Sequence, residues 1–292
     1  MSTRSMNAPL SVGATPRTPW LQRAGDVFTR LAPAIMIGVV APRALRVPGV
    51  HEPLGLVLAT LFVAALAWFA RDLWQGRASP VRQLRAACGL LFALPFALML
   101  LLWVGLATPW DATKAENEMR FLVLSVGAVA MTVGFLTLGQ ALRDAGERVW
   151  STLGGAVALP AGVAYLVWTC FTAGFFVVAI HGGRPTDAFP ALSDVLDTLE
   201  FFACALTYLA TLLHVVALAR QGWLGRKATV AFLLFAALLL LLLVLRGVAY
   251  PDPTASTTPW YARPGFIAGI PAVPWILPYL MGLAQLRDRT RD

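Results

Sequence analysis

Seven stretches of this chain are too long and too evenly apolar for a fold in water: residues 53–70, 86–106, 121–139, a longer one within 153–180, 201–219, 228–248 and 264–283. Each meets the requirement of about 17–25 apolar residues for a helix that crosses a bilayer. Arg246 is the only charged residue inside any of them. The apolar residues run in blocks rather than at a period of 3.6 or 2, which points to burial on every face. Lipid is the natural solvent for such segments. The expected fold is therefore an all-α, polytopic transmembrane helix bundle, with residues 19–292 as one transmembrane domain and the Ser-, Thr- and Pro-containing residues 1–18 as a disordered tail.

Composition excludes the soluble alternatives. Of the residues, 58% are hydrophobic and 13% charged, about half the charged share of an ordinary soluble domain. A net charge of +8 raises a nucleic-acid reading, but the arginines sit in short clusters between apolar blocks, the pattern of membrane orientation rather than of a binding groove. The expected partner is the lipid bilayer, and no nucleic acid. The Arg-over-Lys and Ala bias suggests a bacterial source and hence a cytoplasmic (inner) membrane. Trp68, Trp74, Trp110, Trp150, Trp223 and Trp260 lie at or near block ends, where headgroup-level anchors belong.

Residues 31–42 form a further apolar segment of only 12, followed by Arg43 and Arg46. Its length fits a re-entrant, interfacial or signal segment, and no clean A-x-A cleavage site accompanies it. Arginine counting decides in favour of a short span, extended back toward Val27. The loops 71–85, 140–152 and 220–227 and the C-terminal tail hold 4, 2, 3 and 3 basic residues, against 2, 1 and 1 in 107–120, 181–200 and 249–263. The first set is expected on the cytoplasmic side. Eight spans, with N- and C-termini both cytoplasmic, keep Arg4, Arg17, Arg23 and Arg30 on that side as well.

An internal 4+4 parallel repeat is a weaker expectation. Ala70-Arg71, Gly76-Arg77 and Thr108-Pro109-Trp110 recur as Ala219-Arg220, Gly225-Arg226 and Thr258-Pro259-Trp260. Alanine- and leucine-rich helices resemble one another, so the match supports the eighth span only secondarily.

The motifs that would name a chemistry are missing. His51-Glu52 continues as Pro53-Leu54-Gly55, not as H-E-x-x-H, and neither a Walker A loop nor a G-x-S-x-G elbow occurs. Cys88, Cys170 and Cys204 all fall in apolar blocks and read as small buried residues. With no transmembrane His pair to ligate a haem, no cofactor or metal is expected.

The candidate residues are therefore ionisable groups in or beside spans. Asp194, Asp197 and Glu200 recur at three-residue spacing, suited to a divalent cation or simply to a helix N-terminus. Glu116, Glu118 and Arg120 form a charged collar at the outer end of another span, with His181 on the same side. His214 and Arg246 are the ionisable groups well inside spans, functional hypotheses by default. Thr207, Tyr208 and Thr211 share a polar stripe with His214, and Tyr165, Trp168, Thr169 and Thr172 form another. His214 is expected to bond a neighbouring helix, and Arg246 to face Glu200 or, second, Glu118.

Pro264, Pro271, Pro274 and Pro278 make the last block the most irregular. Three functions fit: a small-molecule transporter or permease, a sensor, accessory or assembly protein without turnover, or a membrane enzyme with an outer-face carboxylate site. A polar cavity reaching the midplane would favour the first and a solid bundle the second.

Overall fold

The computed structural model describes residues 19–40, 50–74, 78–104, 106, 112–181, 189–249 and 265–287, and among these it is built of helices and turns without a strand. In order come α1 (Pro19–Val40), α2 (His51–Phe69), a single turn α3 (Arg71–Trp74), α4 (Pro80–Leu102), α5 (Lys114–Asp144) and α6 (Val149–Phe171). A π-helical turn, Thr172–Phe176, joins α6 to the short α7 (Val177–Ile180). Then follow α8 (Phe189–Arg220), α9 (Arg226–Arg246), two 3₁₀ turns at Ile267–Gly269 and Val273–Trp275, and α10 (Ile276–Arg287). Among the described residues six helices are long and apolar enough to cross a membrane: Glu52–Phe69, Pro80–Leu102, Lys114–Asp144, Val149–Phe175, Ala191–Arg220 and Arg226–Arg246.

Polar residues set the ends. Pro80 opens α4 behind Ser79, whose hydroxyl accepts from the Arg82 amide, because proline's missing N–H costs nothing in a first turn. Thr113 and Glu116 close a capping box on α5, satisfying two of the amides that a helix start leaves open. Gly247 ends α9 at φ +81° with ψ −176°, a conformation essentially confined to glycine.

Contacts between helices are made by small residues. Gly89 of α4 meets Gly282 of α10 so closely that a methyl at Gly89 would stand 2.7 Å from the Gly282 carbonyl oxygen. The Trp275 ring lies over Gly127 of α5, and the Phe92 ring fills the surface left by Gly134 and Gly282. Lipid tails give no hydrophobic reason for helices to associate, so close backbone approach and dispersion do the work. Gly55 at the start of α2 abuts Leu100 at the end of α4, and Gly25 of α1 abuts Ala65 and Phe69. Neighbours therefore run antiparallel. Phe69, Arg82, Arg85, Glu147, Arg220, Trp223 and Arg287 gather at one arginine-rich end.

Three expectations change. The block 264–283 is no full-length helix: from Gly265 to Trp275 it is turns and 3₁₀ segments, and only α10 is α-helical. Pro271 and Pro274 remove the amides that a continuous helix would need there. The segment 31–42 belongs, as far as Val40, to a 22-residue helix that begins at Pro19. Its first turns carry Arg23, Asp26 and Arg30, which hid them from a search for apolar residues. The expected repeat is also uneven, since continuous α5 stands where its proposed counterpart is broken. The expected disordered tail, residues 1–18, lies outside the described residues.

Candidate functional site

The break in the last block is where buried polar groups concentrate. A turn inside a bundle leaves carbonyls that no i+4 amide reaches, and these must be met by protein or water. Here two tyrosines meet them. Tyr208 of α8 donates to the Ala268 carbonyl at 2.9 Å, and Tyr165 of α6 donates to the Pro271 carbonyl at 2.9 Å. The Cys204 thiol lies 3.3 Å from the Tyr165 hydroxyl and 3.9 Å from the Gly269 carbonyl. All three side chains are fully buried.

Arg246, the last residue of α9, lies against the same loop: a side chain at Gly269 would overlap its guanidinium, and one at Gly265, where φ is +77°, would overlap the Leu242 carbonyl. Only glycine fits at Gly265, whereas a side chain at Gly269 would require the Arg246 guanidinium to move aside. Glu200, one turn before Cys204, is buried on α8, and the Glu200 carboxyl and the Arg246 guanidinium act on each other electrostatically. Trp275 closes the cluster from beneath, its ring 5.2 Å from that of Tyr165. Between Thr132, Gly162, Tyr165, Thr207 and Trp275 remains a void of about 10 Å³, room for one water.

His214 is fully buried nearer the arginine-rich end. Its Nδ1 pairs with the Ala210 carbonyl of its own helix at 2.9 Å, and the Phe135 backbone of α5 bonds the ring from a neighbouring helix, as expected from the sequence. The imidazole is clamped between Gly139 of α5 and Gly154 of α6, with the Phe135 ring 5.0 Å away. The stripe beside it is turned inward too: Thr207 donates to Ala203 and Thr211 to Thr207 along the helix. In the other stripe Thr172 donates to Trp168, while Thr169 reaches across to Ser125 of α5 at 2.8 Å.

The carboxylates expected on the outer side separate into different tasks. Glu116 completes the capping box. Glu118 is exposed and pairs with Lys114 at 3.6 Å, which removes it as the second partner proposed for Arg246. Arg120 donates to Asn117, whose amide stands 3.4 Å from Nε2 of the exposed His181. Asp194 is exposed, Asp197 half-buried and Glu200 buried. Among the described residues no group of three or more His, Cys, Asp and Glu side chains is placed to hold a metal ion.

Sequence reasoning missed a second buried cluster, at the arginine-rich end. Arg82 Nη1 and Nη2 donate to the Gln285 and Leu286 carbonyls at 2.6 and 2.7 Å, and Arg85 Nε donates to Gln285 Oε1 at 3.0 Å. Arg82 thus holds the C-terminal carbonyls of α10, where the helix dipole is negative, and Arg85 holds the Gln285 side chain beside them. The Arg85 guanidinium also stacks 4.5 Å from the Trp223 ring. Beside it Arg287 binds Asp26 of α1 at 2.7 Å and donates to Thr29, whose carbonyl accepts from Tyr279. Arg82 and Arg85 read as loop charges because they precede an apolar block. Their i, i+3 spacing on one helical face was the available signal.

Set beside known proteins, the chain matches no protein-family model, no curated protein and no solved structure.

Proposed function

We propose that this chain is a bacterial cytoplasmic-membrane protein that works without turnover, as a sensor, accessory or assembly protein. The observation that supports this reading is the use made of its polar side chains. Thr172, Thr207 and Thr211 bond to their own helices, and Tyr165 and Tyr208 tie down a non-helical segment. Groups committed to backbone in this way hold a bundle closed, and the void beside them admits one water. The arginine-rich end faces the cytoplasm by the inside-positive rule. The Asp26–Arg287 pair at that end supports a reading in which α1 is the eighth crossing and both termini are cytoplasmic. Reporter fusions at the N-terminus and at residue 292 test this, and a periplasmic N-terminus would refute it.

A permease is the second reading, favoured by the broken last helix with Glu200 and Arg246 against it. Intramembrane ionisable groups beside unwound backbone are the usual setting of a transport site. One experiment separates the two. In a chain whose Cys88, Cys170 and Cys204 are replaced by Ala, a Thr207→Cys probe in sealed vesicles should resist a membrane-impermeant maleimide from both sides. Labelling from each side in turn would overturn the closed bundle and establish alternating access.

A further inference from the structure

The exposed face of α9 is an apolar stripe with its charge at one end. Arg226 and Lys227 head a shallow, open groove that runs past Val230, Ala231, Leu234 and Phe235 to Leu238. We propose that this groove binds one anionic glycerophospholipid from the arginine-rich leaflet, the headgroup phosphate on Arg226 and Lys227 and an acyl chain along the apolar stripe.

Length, charge and availability support this occupant. From Arg226 to Leu238 is 12 residues, about 18 Å at 1.5 Å per residue, close to one leaflet of a hydrocarbon core about 30 Å thick. The groove therefore starts at headgroup level and ends near the midplane, the course of one acyl chain. Its charge lies only at the headgroup end. Several other cations there are engaged: Arg82 and Arg85 with Gln285, Arg220 with Glu147 at 3.7 Å, and Arg287 with Asp26. Arg226 and Lys227 are exposed, and among the described residues neither enters an ion pair. The amides of the first turn of α9, which no side chain caps, add donors suited to a phosphate.

The test is native mass spectrometry of the delipidated full chain in detergent, titrated with dioleoylphosphatidylglycerol or dioleoylphosphatidylcholine. A basic residue at a membrane surface changes the affinity for anionic lipid about fivefold, so the parent should prefer phosphatidylglycerol about thirtyfold. Arg226→Gln with Lys227→Gln should abolish that preference. Arg143→Gln with Arg148→Gln, at the same end, should leave it intact. Ala231→Trp fills the groove without touching charge and should weaken retention of both lipids. Four of these five positions are exposed and Arg143 is half-exposed, so folding is preserved. Equal retention of the two lipids by the parent would overturn the proposal, as would an unchanged preference in the Arg226/Lys227 variant or unchanged retention in Ala231→Trp. A second copy seated on the groove, seen as a Leu234→Cys disulfide dimer in a chain with Cys88, Cys170 and Cys204 replaced by Ala, would also refute it.

Discussion

Removing one hydroxyl should cost very different amounts at Tyr208 and Thr211, two fully buried residues three positions apart on α8. Tyr208 donates at 2.9 Å to the Ala268 carbonyl, Thr211 at 2.8 Å to the Thr207 carbonyl. The acceptors differ. Thr207 lies inside α8, so its carbonyl keeps the amide of residue 211 when the hydroxyl is lost. Ala268 lies in a 3₁₀ turn, and a buried acceptor stripped of its partner costs about 1–3 kcal/mol. Interhelical side-chain bonds in membranes average about 0.6 kcal/mol and reach about 1.7. Tyr208→Phe should then cost about 1–2 kcal/mol and Thr211→Val under about 0.5 kcal/mol. At about 2–4 °C per kcal/mol for chains somewhat shorter than this one, the melting temperature in detergent falls by about 2–8 °C in the first variant and barely moves in the second. Hydrogen exchange across 266–275 should rise only in the first. Equal losses, or faster exchange in Thr211→Val, would refute the idea that the tyrosines exist to satisfy broken backbone.

Other outcomes follow from the same geometry. A double-mutant cycle on Arg246→Leu and Glu200→Gln, scored by thermal stability, should give a coupling of about 1–3 kcal/mol, and strict additivity would exclude the pair. Gly89→Val drives a side chain into the Gly282 backbone and should cost about 1–3 kcal/mol or more, loosening α10 from α4, whereas Gly174→Ala, with open space around it, should be neutral. Gly154→Ala should displace the His214 ring, read as a changed imidazole NMR shift, and an unchanged shift would contradict the clamp. Asp26→Asn should expose α1 to protease while lowering the melting temperature by only about 1–3 °C, since the Asp26–Arg287 pair is partly exposed.

Membrane helices were legible because apolar length is a one-dimensional signal: two of the seven blocks lie wholly within single long apolar helices, three more follow such helices up to their last few residues, and a sixth lies along α6, the π turn and α7. What failed was anything dependent on a partner. The block 264–283 counts as apolar whether or not it is helical, and its prolines marked disorder in the ladder without saying which hydroxyls would repair it. His214 was conspicuous by type, yet the space for its ring is made by two glycines, Gly139 and Gly154, which no polarity search would pair with it. Glu116 looked like a ligand because a capping box and a binding collar use the same residue types. Arg82 and Arg85 were hidden among orienting arginines, although burial on α10 gives them a different role.

The hold of Arg82 and Arg85 on α10 also sets an order of events at the ribosome. Their acceptors come 203 and 204 residues after Arg82, about 10–40 s of synthesis at 5–20 residues per second. Through that interval α4 sits in the bilayer with two cations facing a neighbour that does not yet exist, and must shelter them at the interface or in water. The bundle can close around them only when residue 286 has been delivered, so a ribosome that stalls earlier leaves behind an open and charged membrane intermediate, a natural target for quality-control proteolysis.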